Sequence, residues 1–305
     1  MRRFTARGAL RSLRHQPILA VGVFIVVFWI VTALLAPWLA PFPPNATFLP
    51  MQTPGSPAIL PPGTGLDTSL TEPLCRATEA GLDCGRFWLG TDILGRDVLS
   101  RVIHGARTVL FYAPLATLLA YAIGITMGLY AGFVGGWLDE TLNFVSNVIL
   151  SFPVLVLYML IISTIGASGT NILIAVVFAS TPAVMRIVRG MTMDVRETGY
   201  VLAALTRGES RTRILFVEIL PNISAPLIVD FSVRIGYVTI TIGVLGFLGL
   251  GLPPPNPDWG GMINESRHVA MAFPHMALFP SLAITSLVLG FNLIADSMSE
   301  LAQTD

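Results

Sequence analysis

The sequence predicts an all-α membrane protein with six transmembrane helices, and three observations carry that prediction. Apolar residues make up 53% of the chain and the mean hydropathy is +0.73, beyond the range of a soluble globular domain. Charged residues amount to only 12%. Six apolar segments each meet or approach the roughly 20 residues that a helix needs to cross a bilayer core.

In chain order the predicted spans are 17–40, 107–131, 141–166, 170–190, 223–249 and 277–297. Arg2, Arg3, Arg7, Arg11 and Arg14 precede the first. Its run from Pro17 to Ala40 is longer than a secretory leader's apolar core, so it reads as a retained helix. Pro153, Pro182 and Pro226 fall in or near spans, where neighbouring helices can satisfy the freed backbone groups. Ser180-Thr181-Pro182 makes the fourth span the least regular of the six. The domain reading is a basic segment with the first span (1–41), an extracytoplasmic excursion with an amphipathic helix (42–106), and a core of spans (107–305).

Orientation follows from the arginines. With the N-terminus in the cytoplasm, eleven lie on inner segments, six on outer segments, and Arg234 within a span. That bias predicts N-in and C-in. Cys75 and Cys84 then face outward, where two thiols so close in sequence favour a disulfide over two unrelated cysteines. The excursion, rich in Pro, Gly and Thr, reads as a surface feature with too little apolar periodicity for its own core. Val98, Leu99, Val102 and Ile103 share one helical face, and Asp97 and Arg101 another. This pattern predicts an amphipathic helix on the outer membrane surface, leading into the second span.

Composition excludes some functions. A formal net charge of zero gives no field for nucleic acid. All eighteen basic residues are arginine, so the chain has no lysine for a phosphate-cradling Walker loop and holds no ATP site of that kind. His268 and His275, with Met262, Met271 and Met276 nearby, are isolated loop residues and predict no metal site. Pro253-Pro254-Pro255 and Pro257 stiffen the same outer loop, and Trp259 suits the head-group level.

Two places invite a functional reading. The first is the loop 191–222, which is charged and helix-forming in a chain otherwise poor in charge. Ala203 and Ala204 permit close approach of another surface, Gly208 permits a sharp turn, and Leu220-Pro221 begins the return to the membrane. Alone, this segment equally suits an interfacial helix pairing its arginines with anionic lipid. The second place is Asp230 and Arg234, four apart inside the fifth span. Charges at that depth form either an internal salt bridge or a polar patch along a translocation path.

The loop's pattern resembles the coupling loop of ATP-binding-cassette importer permeases, whose motif runs Glu-Ala-Ala, three residues, Gly, then Ile and Leu-Pro. Here Leu202 replaces the Glu and the Ile is shifted to Ile219, while Gly208 and Leu220-Pro221 keep the spacing. FWLGTDILGRDVLSRVIHGART at 87–108, FLGLGLPPPNPDWGGMINESR at 247–267 and FNLIADSMSELAQ at 291–303 resemble segments of the dipeptide, oligopeptide and nickel permeases. The similarity runs from about residue 87 to the C-terminus, nearest the second permease subunit of such importers.

That resemblance implies a type I importer permease fold. It also implies no enzymatic activity and no cofactor in this chain, with ATP and Mg on partner subunits. The implied partners are a second permease subunit, two ATP-binding subunits, an extracytoplasmic solute-binding protein and membrane lipid. The implied cargo is peptide, with nickel or another small solute as the alternative. An ion-coupled secondary transporter and a membrane-anchored receptor module are the other readings. Repeat symmetry, a mark of the former, is not evident.

Overall fold

The computed structural model describes residues 17–60, 75–78 and 81–304. The N-terminal arginines therefore lie outside the described residues. The chain forms α1 (Pro17–Leu34), α2 (Ala36–Leu39), β1 (Pro57–Leu60), β2 (Arg76–Thr78), β3 (Gly81–Arg86) and the long α3 (Val98–Val134). Next come α4 (Gly136–Leu150), α5 (Val154–Ile165), α6 (Gly169–Val195), α7 (Gly199–Thr206) and α8 (Arg211–Arg213). A π-helical turn, Ile214–Ile219, leads into α9 (Leu220–Phe247), followed by α10 (Trp259–Ser266) and α11 (His275–Thr304).

Five helices are long and apolar enough to cross a membrane, and α4 with α5, bent by 88° where they meet, pass the same test only when taken together. The irregular span is thus the third, not the fourth. Pro153, at the N-cap of α5, has a non-helical ψ of 122°, and the chain breaks there between the two helices. Pro182 in α6 is carried without a break, and the Thr181 hydroxyl bonds the Val177 carbonyl at 2.7 Å.

The predicted helix before the second span is formed, but as part of that span's own helix and without an exposed polar face. Residues from Val98 onward are the first turns of α3 itself, a single helix of 37 residues. Both of its supposed faces are covered: Val98 is fully buried, and so are Asp97 and Arg101, at 1% and 3% exposed. The polar face points into protein because the excursion folds over it.

That excursion also departs from expectation. It forms a three-stranded antiparallel sheet in the order β1–β3–β2, beside a small core of Phe42, Ala46, Phe48, Ala58 and Phe87. The three rings pack edge-on or tilted at 4.8 to 5.6 Å. They come from segments joined by turns, so no period in the sequence announces them. Backbone bonds from Phe48 to Gly95 and from Met51 to Asp92 fasten this unit to the start of α3.

The bundle is held most closely where α3 meets α6. Gly124, Gly128 and Gly132 form one stripe of α3, and a Cβ at Gly128 would lie 2.7 Å from both the Met185 carbonyl and the Val188 Cβ. Small residues here let two backbones approach within a medium that offers no hydrophobic drive between helices. At the other end, Trp259 lies in the protein core. It is fully buried, its indole donates to the Val102 carbonyl at 2.8 Å, and it packs on Trp29 at 4.9 Å. An indole whose N–H is satisfied can be buried whole.

Candidate functional site

The segment between α6 and α9 is built around one glycine. Gly208 adopts φ of +77° and ends α7. Its N–H bonds the Leu205 carbonyl at 3.0 Å, and the Glu209 N–H bonds the Ala204 carbonyl at 3.2 Å. Those two bonds satisfy the last carbonyls of the helix. A Cβ on Gly208 would meet no atom within 4 Å, so the requirement is conformational and not steric. Ser210 then caps the next turn, accepting from the Arg213 N–H at 3.4 Å. The wide π turn directly precedes Pro221, which lacks an N–H and whose ring would crowd the carbonyl one α turn back.

Packing makes this segment a firm lever. Ile214, Leu215 and Ile219 are fully buried and cluster with Val201 and Ala204 of α7 and with Val184 and Val188 of α6. Glu209 receives Arg207 at 2.8 Å and Arg213 at 3.3 Å, and Arg207 also approaches Glu218 at 3.9 Å. The two alanines take different parts. Ala204 is fully buried against the chain's own helices, whereas Ala203 is exposed between the exposed Leu202 and Leu205. One small side chain seats the helix. Its neighbour leaves a flat apolar outer face. Leu220 is half-buried, and Pro221 is exposed in the first turn of α9.

Asp230 and Arg234 do meet, Arg234 Nε donating to Asp230 Oδ2 at 2.7 Å. The sequence did not announce a third member: the Tyr121 hydroxyl of α3 donates to the same oxygen, and the Tyr121 ring packs edge-on against Phe231 at 5.0 Å. The pair is therefore satisfied internally, yet neither side chain is fully covered (28% and 21% exposed). Tyr237, one turn further on the same side of α9, is 66% exposed. The arrangement serves both readings offered above: it ties α9 to α3 and leaves a polar edge open.

A larger polar cluster was missed because its members come from distant segments. Arg96 bonds Asp92 at 2.7 Å and Glu265 of α10. Arg101 approaches the same Asp92 at 3.8 Å and the Pro44 carbonyl at 3.4 Å. Asp97 caps α3 through the Ser100 N–H at 2.8 Å, and Asp258 caps α10 through the Gly261 N–H at 3.1 Å. Four carboxylates and two guanidiniums thus fasten the excursion, α3 and α10 together. Burial pushes the Asp258 carboxyl up to about 6 and raises that of Asp97, against the bonds from Gly261 and Ser100. The spacing Asp92, Arg96, Asp97, Arg101 was the available signal.

Cys75 and Cys84 are bonded across the β2–β3 hairpin, with Cα atoms 4.2 Å apart. The loop residues considered for metal are dispersed: Met262, His275 and Met276 are buried, while His268 and Met271 are exposed.

A bundle of apolar helices with a packed helix–glycine–helix segment between α6 and α9 is the architecture of the described residues. Residues 124–303 match the family described as binding-protein-dependent transport system inner membrane component, and residues 5–62 match the N-terminal TM domain of oligopeptide transport permease C. The chain is 41% identical over 213 residues to the glutathione transport system permease protein GsiD of Pectobacterium atrosepticum, covering 70% of this chain and 71% of that one. It is 33% identical over 294 residues to the dipeptide transport system permease protein DppC of Alkalihalophilus pseudofirmus, covering 96% and 88%. To GsiD of Escherichia coli O157:H7 it is 33% identical over 290 residues, covering 95% and 87%. The chain belongs to the binding-protein-dependent transport permeases. It is a non-enzymatic, multi-pass inner-membrane subunit of an ATP-binding-cassette importer and works with other components of that system.

Proposed function

We propose that the chain forms half of the membrane pathway of an importer for short peptides. It stands beside a second, related permease, with both termini cytoplasmic. Two ATP-binding subunits hold ATP and Mg and grip residues 200–221. An extracytoplasmic solute-binding protein delivers the cargo to the other face. The names of the relatives, which carry dipeptide or glutathione, support peptide as the cargo class.

The observation that carries the mechanism is the division of labour between Ala203 and Ala204. A buried Ala204 locks α7 to the π turn and so to α9, while the exposed Leu202–Ala203–Leu205 surface is free to seat on a motor subunit. Force applied to that surface passes through Ile214, Leu215 and Ile219 into α9, which bears Asp230 and Arg234 on the pathway side. Tilting α9 against α3 opens and closes the path. No bond in the cargo is broken.

The test is a pair of substitutions. A203W is expected to leave the chain folded in the membrane but to release the ATP-binding subunits on purification. ATP hydrolysis in reconstituted vesicles then no longer responds to loaded solute-binding protein. A204W is expected to disrupt the chain itself, because its ring has no space beside Ile214 and Val201. An A203W complex that keeps its motor subunits and its stimulated hydrolysis refutes the proposal.

A further inference from the structure

At the end of α3 near the excursion lies a cavity of about 360 Å³, lined by Arg107, Thr108, Phe111, Tyr112, Leu252 and Asn256. That volume is at the small end of the range for ligand cavities. One wall is α3 and the other is the loop between α9 and α10, fixed to it by the Thr108 hydroxyl donating to the Pro257 carbonyl at 3.1 Å. The Phe111 and Tyr112 rings stand edge to face at 5.1 Å. Arg107 is exposed and makes no ion pair or hydrogen bond among the described residues. By contrast, the neighbouring Arg96 and Arg101 both reach carboxylates. The cavity thus joins one unneutralised guanidinium to two aromatic rings and a leucine. A guanidinium fork matches a carboxylate in shape as well as charge.

Position on the helix adds to the composition. Arg107, Phe111, Pro114, Leu118 and Tyr121 follow one another at steps of four, three, four and three, so they occupy a single stripe of α3. Phe111 and Leu118 on that stripe are 60% and 57% exposed. Tyr121, at its inner end, bonds Asp230. The cavity and the Tyr121–Asp230–Arg234 group are therefore two polar stations on one stripe of α3, which is open at Phe111 and Leu118 and covered at Tyr121, while Asp230 and Arg234 stay partly exposed. Fourteen residues separate them, or about 21 Å along the helix.

We infer that Arg107 receives the free α-carboxylate of an incoming peptide at the outer mouth of the pathway, with Phe111 and Tyr112 against its last side chain. This rests on the peptide-import reading above and adds the group by which the membrane subunit itself holds cargo. The carboxylate leaves Arg107 as the peptide moves toward Asp230 and Arg234.

The test uses the complete importer in vesicles, carrying N256C as its reactive thiol at the cavity edge, with Cys75 and Cys84 kept oxidised. The probes are the dipeptide Ala-Phe and its C-terminal amide. Ala-Phe is expected to slow maleimide labelling of N256C by roughly tenfold, the effect of one charge-assisted hydrogen-bonded contact, and the amide to slow it little. Adding R107Q is expected to abolish the protection, and R107K to retain part of it. Equal protection by acid and amide, or protection that survives R107Q, overturns the inference. So does slow labelling without any peptide in phosphatidylglycerol but not phosphatidylcholine vesicles, since Arg107 then holds a lipid phosphate. Uptake of Ala-Phe is measured in parallel: uptake without protection overturns this inference alone, and no uptake of either probe or of glutathione overturns the peptide reading with it.

Discussion

Asp258 shows how one residue's setting changes its chemistry. Its carboxylate is 3% exposed and caps α10, with Arg96, Arg101, Asp92, Asp97 and Glu265 making up the rest of the charged cluster. Burial holds its pKa at about 6, above the ordinary 3.8. The native state therefore binds this proton more tightly than the unfolded chain does. Stability is highest below the ordinary value and falls as pH rises through that window. Thermal unfolding of the purified chain is expected to show a gain of about 1–2 kcal/mol on going from neutral pH to about pH 5. D258N keeps the cap and removes the buried charge, so it should be more stable than the natural chain at neutral pH and lose most of that slope. Equal slopes for the two chains would show that Asp258 is not the group that titrates.

At the scale of elements, the contact between α3 and α6 carries the bundle. Gly124, Gly128 and Gly132 stand where the backbones nearly touch, and a Cβ at any of them would force its neighbours to shift. G128A is expected to destabilise the chain by about 1–3 kcal/mol through overpacking. G190A provides the comparison, because a Cβ there meets nothing within 4 Å. It should be neutral or slightly stabilising, as removing a helical glycine usually is. Denaturant unfolding in detergent distinguishes the two, and equal effects would remove the argument for close approach. The lever obeys a different rule. Gly208 is required for its backbone angle alone, which explains why it can sit exposed with open space around it.

For the whole molecule, the inside-positive distribution of arginine makes a prediction about sides. In intact cells, an impermeant maleimide should label a W88C chain and leave an L202C chain unlabelled until the membrane is opened. The opposite pattern would place the lever outside and end the coupling proposal. On the proposed N-in orientation, the three-stranded sheet, the disulfide and the buried charge cluster would lie together on the outer side. They are joined to α3 and α10 by the Arg96–Glu265 ion pair and the backbone bonds from Phe48 and Met51.

Much of this was legible in the chain itself. Hydropathy marked the five long apolar helices and the bent pair, because a bilayer demands runs of about 20 apolar residues whatever they pack against. The alanine pair, Gly208 and Leu220-Pro221 marked the lever, because a helix end and a helix start are local events with local signals. Tertiary structure alone decided the rest. Only the fold shows that the Trp259 indole is buried whole, with the Val102 carbonyl beside it. Asp97 and Arg101 read as a wet helix face until the excursion covers them. Tyr121 completes the Asp230 pair from 109 residues away, and no period spans that gap. Burial and long-range pairing depend on which segments meet, and that is a property of the folded chain and not of any stretch within it.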